Sequence, residues 1–235
     1  MIKRPSWPPQ AAAFGLRLRL EYPSSLGALV RAAPFVLLCV AVSWAFTFIL
    51  AKPDYGYESR LVFHVPDITS DAWNAISSLF TAPLLNRGPQ QVLYVTILLL
   101  MFGVMVESRE GSRRTLLIFF SSAGSGALFA ALLLHILYPG LSTHPALAEA
   151  WTGAWSGGSA GAFGLAGAFA ARQHRPWPWM LAIIIWEANV AVLHLRNYTP
   201  VFHLAALVAG FLVTRYLLPP RERPTDLLDR ASTPV

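Results

Sequence analysis

Charge is what this sequence has least of. Only 13% of its 235 residues are Asp, Glu, Lys or Arg, against roughly 25% in an ordinary soluble domain. Hydrophobic residues make up 55% and the mean hydropathy is +0.49, which excludes a typical water-soluble globule. Cysteine is nearly missing as well. Cys39 stands alone, so an intramolecular disulfide and a cysteine-based metal site are excluded. No apolar run carries paired acids or histidines at metal-ligand spacing, so neither a metal nor a cofactor is expected. An inverted repeat or a matched pair of broken helices, the mark of a small transporter, is not visible.

What the sequence does have is apolar length. The hydrophobic residues gather into runs of about 17 to 24, enough to cross a bilayer at 1.5 Å per residue. The runs fall at residues 34–51, 90–106, 115–138, 156–171, 179–195 and 199–218. The fold class expected is therefore all-α: a polytopic membrane protein with a six-transmembrane-helix bundle over residues 34–218. Residues 1–33 form a basic, proline-broken segment, too long and too polar for a signal-peptide n-region. Within it Phe14–Leu20 alternates Leu and Arg, and a solvated tail is preferred there to a surface helix. Residues 219–235 read as a polar tail. The connection 52–89 is too apolar for a free loop, with Trp73, Ile76, Leu79, Phe80, Leu84 and Leu85 among polar residues. Short helices half-sunk in the outer interface are expected there.

Basic residues set the orientation. Lys3, Arg4, Arg17, Arg19 and Arg31, then Arg109, Arg113 and Arg114, then Arg172 and Arg175, then the four arginines from Arg215 onward, all fall on one side of the six runs. Lys52, Arg60, Arg87 and Arg196 fall on the other. The positive-inside rule then places both termini in the cytoplasm, a topology compatible with the plasma membrane of a bacterium. The pI of about 9.9 follows from these loops, so nucleic acid is not expected as a partner. The lipid bilayer is.

The run around 155–172, WSGGSAGAFGLAGAFAAR, is rich in Gly and Ala. Small residues let helix backbones approach, so it belongs inside the bundle. Ser159 lies three residues into this run and His203 four residues into the last. Both runs descend from the outer side, so both residues sit on the order of 5 Å below it. An ionisable residue within a span usually faces the bundle interior or a water-filled cavity. A histidine at that depth can take the proton of a serine hydroxyl and make it a nucleophile. The alternatives are a packing serine and a histidine bonded to a backbone carbonyl.

Three motifs then fall in order. They are Gly157-Gly158-Ser159-Ala160, followed by Phe163-Gly164 and Gly167; His203 with Ala205, Ala206 and Gly210; and Gly103, Glu107 and Gly111 at four-residue spacing. With Thr81 before the second run, this pattern resembles the rhomboid intramembrane proteases over about residues 77–215. The resemblance implies a six-helix core and hydrolysis of a peptide bond in a transmembrane protein substrate. Ser159 would be the nucleophile and His203 the base and acid, with no metal. The pattern departs from the family at three motif positions, and the outer connection lacks the family's Trp-Arg pair, since Trp73 and Arg87 are not adjacent. Ala160 replaces a glycine, and the two oxyanion positions, His and Asn in the family, are Gln91 and Val95. Gln91 keeps an amide that can hold an oxyanion; Val95 has no donor. The alternative is accordingly a catalytically inactive rhomboid pseudoprotease that binds or chaperones membrane segments.

Four other groups stand out. Glu107 with Arg109, Arg113 and Arg114 reads as a structural tie at the inner end of the second run. Glu187, with Asn189 beside it, reads as a polar contact of the fifth run rather than a proton-relay acid. His135 and His194 read as interfacial and His64 as solvated.

Overall fold

The computed structural model of the chain describes residues 23–49, 60–193 and 198–219. The stretch 14–20, Lys52, His194, Arg196 and the tail beyond 219 lie outside the described residues. Helix α1 (Leu26–Ala32) meets α2 (Pro34–Ile49) at a bend of 97°. In the connection that follows, a two-residue strand β1 (Phe63–His64) leads to α3 (Asp67–Ser70) and α4 (Ala72–Thr81). Next come α5 (Pro89–Glu110), α6 (Ser112–Leu141) and the short α7 (Pro145–Thr152). Strand β2 (Ala154–Trp155) pairs antiparallel with β1, Phe63 opposite Trp155. The chain then forms α8 (Ser159–Ala171), α9 (Trp177–Leu193) and α10 (Thr199–Leu217).

Each of the six apolar runs becomes a helix. By length and composition, three of them can cross a membrane among the described residues: α5, α6 and α10. A fourth is added if the bent α1–α2 pair counts as one span. Helix α8 is apolar but short. Its 13 residues rise about 20 Å, against a hydrocarbon core of about 30 Å. The short helices expected in the outer connection are present. There α4 buries Asn74, Ala75 and Ser78 and leaves Trp73, Ile76 and Phe80 exposed. Thr81 Oγ1 donates to the Leu61 carbonyl at 2.7 Å and stitches this connection together.

Helix α8 is the centre. Every residue but Ala160 is buried, as a helix apolar on all faces must be. Its glycines are required for the packing. A methyl group on Gly164 would overlap Ser122 of α6, and one on Gly167 would overlap the Leu207 carbonyl of α10. On α6, Gly126 lies against α10. A Cβ on Gly126 would sit 2.6 Å from the Phe202 carbonyl oxygen.

Two readings change here. Glu107 does not tie to its neighbouring arginines. Its carboxylate accepts from the backbone N–H groups of Phe35 and Val36, each at 2.8 Å. Those groups open α2 and lack an intrahelical partner. Glu110 takes the arginines instead, Arg114 at 2.9 Å and Arg172 at 2.7 Å. A glycine is needed just after them, because Gly111 ends α5 at φ 81°, where a side chain is strained. His64 is also no free loop residue: it is half-buried and paired with Ala154.

Candidate active site

The run at 156–171 does not become helical until Ser159. Trp155 is held in the ladder with Phe63, and Gly157 turns at φ 126° with its N–H donating to the Ala82 carbonyl at 2.9 Å. Ser159 is therefore the first residue of α8, not its fourth. It sits where backbone N–H groups are free of intrahelical partners and the helix dipole is positive.

His203 lies one turn into α10. Its Nε2 is 2.9 Å from Ser159 Oγ. Its Nδ1 is 3.0 Å from Glu187 Oε2 of α9. The imidazole is thus spanned by a hydroxyl on one nitrogen and a carboxylate on the other. All three groups are buried, with Ser159 at 7%, His203 at 6% and Glu187 at 1% exposure. An ionised carboxylate can only accept, so Glu187 in that form favours the tautomer with its proton on Nδ1. In that tautomer the Nε2 lone pair faces the serine, and the hydroxyl donates to it. Phe163, one turn beyond Ser159, stacks on the imidazole with centroids 4.3 Å apart and planes 9° from parallel. Asn189 takes no part. It is exposed and donates to the Ile185 carbonyl of its own helix.

Gln91 lies beside this group and is already engaged. Its Nε2 donates to the Ser156 carbonyl at 2.9 Å, and its Oε1 accepts from the Arg87 N–H at 2.7 Å. One amide hydrogen is left over. Val95, one turn on, is buried and packs against Gly158, where a Cβ would come within 2.9 Å of Val95 Cγ1.

Two cavities meet at the serine and histidine. One, of about 330 Å³, is lined by the apolar Trp155, Phe202 and Phe63 and by the polar Arg87, Gln91 and Ser156. The other, of about 280 Å³, runs past Tyr94, Trp186 and Glu187. Both are lined by Ser159, His203, Gln91 and Thr199.

The pair expected from matching depth is thus brought together. Two contacts were missed, Phe163 on the ring and Glu187 on its far nitrogen. The position of Phe163, four residues past the serine, was a usable signal. So was an acid in mid-span, since such a residue needs a partner. His135 Nδ1 donates to the Ala131 carbonyl, 2.9 Å away, and the ring packs edge-on against Trp151, apart from the site. Among the described residues no group of His, Cys, Asp or Glu is placed to hold a metal.

Compared with known families, residues 72–220 match the Rhomboid domain. No curated protein and no solved structure matches the chain.

Proposed function

The chain belongs to the rhomboid family, and on that premise we propose that it is an intramembrane serine protease acting through Ser159 and His203. The observation that carries this reading is the 2.9 Å contact between Ser159 Oγ and His203 Nε2 beside a cavity. That is within the reach a base needs to take a proton.

The chemistry balances with these two groups and water. Ser159 Oγ bonds to the carbonyl carbon of a substrate peptide while its proton passes to His203 Nε2. The carbonyl π pair moves onto oxygen. When the C–O double bond re-forms, the C–N bond breaks, and the Nε2 proton goes to the leaving amine. Water then repeats the sequence on the acyl-enzyme and frees Ser159. The oxyanion would lie at the start of α8, where the Ser159 N–H and the positive helix end favour negative charge. The free hydrogen of Gln91 Nε2 is a second donor close by. The 330 Å³ cavity has room for a few side chains of an unwound segment, and its polar lining residues suit the water that the second half of the reaction needs.

The substrate class is a transmembrane protein, cleaved near the outer surface. The short α8 supports that depth. With Arg172 anchored to Glu110 at the inner end, Ser159 stands about 20 Å above it, some 10 Å short of the far side of the core. The cytoplasmic placement of both termini rests on the distribution of Lys and Arg. Cleavage of a type I membrane substrate by the purified chain in liposomes tests the reading. Activity is expected to vanish in Ser159→Ala and in His203→Ala; activity unchanged in Ser159→Ala would end it.

A second reading has one specific observation in its favour. The oxyanion position at Val95 is an apolar side chain packed on Gly158, and one lost donor costs about 10²–10³ in rate. A pseudoprotease that binds membrane segments without cutting them would fit that. A fluorophosphonate probe separates the two. Labelling of Ser159 in the folded chain supports the protease, and its absence supports the binder.

A further inference from the structure

We propose that Glu187 is a positioning residue for the reaction, making a serine–histidine–glutamate triad from three different helices. The assignment rests on the protease reading above. Three observations carry it.

The first is the order of the contacts. Ser159 Oγ, His203 Nε2, His203 Nδ1 and Glu187 Oε2 follow one another at 2.9 Å and 3.0 Å across the ring. The carboxylate meets the nitrogen that the serine does not. By accepting the Nδ1 proton it selects the tautomer whose Nε2 can act as base.

The second is burial. Glu187 is 1% exposed, and its ion-pair partner among the described residues is His203. An isolated carboxylate in such a place is costly unless it is paired. A charge kept there gains most when His203 becomes an imidazolium, as it does when Ser159 attacks. In a medium of low dielectric that stabilisation exceeds what it would be in water.

The third is that ring placement is already provided for. Phe163 holds the plane of the imidazole. What remains to be set is the rotation of the ring about its own axis and the site of its proton, and a carboxylate at Nδ1 sets both. Asn189, two residues on, turns away to its own helix, so this face of α9 presents one acid to the site.

The experiment uses the full chain in liposomes, with substrate cleavage and fluorophosphonate labelling of Ser159 read together. Glu187→Gln is expected to lower kcat by about 10⁴-fold, as loss of the carboxylate of a serine-protease triad does. KM is expected to hold, and Glu187→Asp to recover part of the loss. A helix tie alone would not split kcat from KM. Equal kcat in wild type and Glu187→Gln, with labelling intact in both, would overturn this assignment and leave the protease reading standing. A wild-type chain that neither cleaves nor labels would overturn both. Should Glu187→Gln fail to fold, nitrogen-15 NMR of histidine in the wild-type chain decides. The signal lost in His203→Ala is expected to show the proton on Nδ1, and a proton on Nε2 at rest would overturn the assignment.

Discussion

Gly210 of α10 stands directly against the backbone of Gly164 in α8, so that a methyl group on Gly210 would overlap the Gly164 carbonyl oxygen. This crossing lies two helical turns from His203 and sets how near α10 can bring its imidazole to Ser159.

Gly210→Ala is therefore expected to push the two helices apart. Overpacking of this kind costs about 1–3 kcal/mol, and here the obstacle is backbone that cannot swing away. A lower thermal midpoint in detergent and loss of fluorophosphonate labelling at Ser159 are the expected results. Gly124→Ala serves as the contrast, since nothing lies within 4 Å of a Cβ there. It is expected to leave both measurements at wild-type values or to raise the midpoint slightly through helix propensity.

Glu107 holds the start of α2 through the N–H groups of Phe35 and Val36. Glu107→Ala removes two charge-assisted bonds from a buried helix end, at a cost of about 3 kcal/mol. Thermal unfolding should show that loss. The labelling rate of the protein that remains folded should be unchanged, because Glu107 touches neither Ser159 nor His203.

Phe163 acts on the imidazole by stacking alone. A ring–ring contact of this sort is worth about 0.5–1.5 kcal/mol. Phe163→Leu is expected to slow turnover by a factor of about 3–10, with little effect on KM, whereas Phe163→Tyr keeps the ring and should stay close to wild type. Steady-state cleavage kinetics check both.

Gln91 pins the segment between β2 and Ser159 through the Ser156 carbonyl. Gln91→Ala is expected to lower kcat at least tenfold, since it frees the Ser156 carbonyl and removes the spare amide donor near the oxyanion. Val95→Asn works in the other direction. A donor beside Gly158 should raise kcat, by as much as the 10²–10³ that one oxyanion donor is worth. A folded Val95→Asn with slower cleavage than wild type would show that the oxyanion lies elsewhere.

The helices were legible because their signals are local. Pro89 and Pro200 open α5 and α10, where a missing N–H costs nothing. Gly111 closes α5 where a left-handed residue is required. The start of α8 was not legible to the residue. What delays it is the pairing of Trp155 with Phe63 and the bond from Gly157 to Ala82, contacts spanning more than seventy residues of chain. The Glu107 reading failed for a similar reason. Arginines a few residues away in sequence suggested an ion pair, whereas the free N–H groups of α2 are distant in sequence and offer two bonds in one geometry.

From the residues alone came the apolar runs, the need for close packing at 155–172, and the two residues of the site most apt for acyl transfer, because hydropathy, glycine content and the rarity of polar groups in a span are properties of the chain itself. Only the tertiary structure decided which nitrogen of His203 faces Ser159, that Glu187 occupies the other, and that Gln91 is spent largely on the Ser156 carbonyl. Those are matters of direction. A side chain's partner in a helical bundle depends on how far each helix is turned about its axis, and that rotation is set by the glycine contacts between α8 and α10, not by any stretch of sequence read by itself.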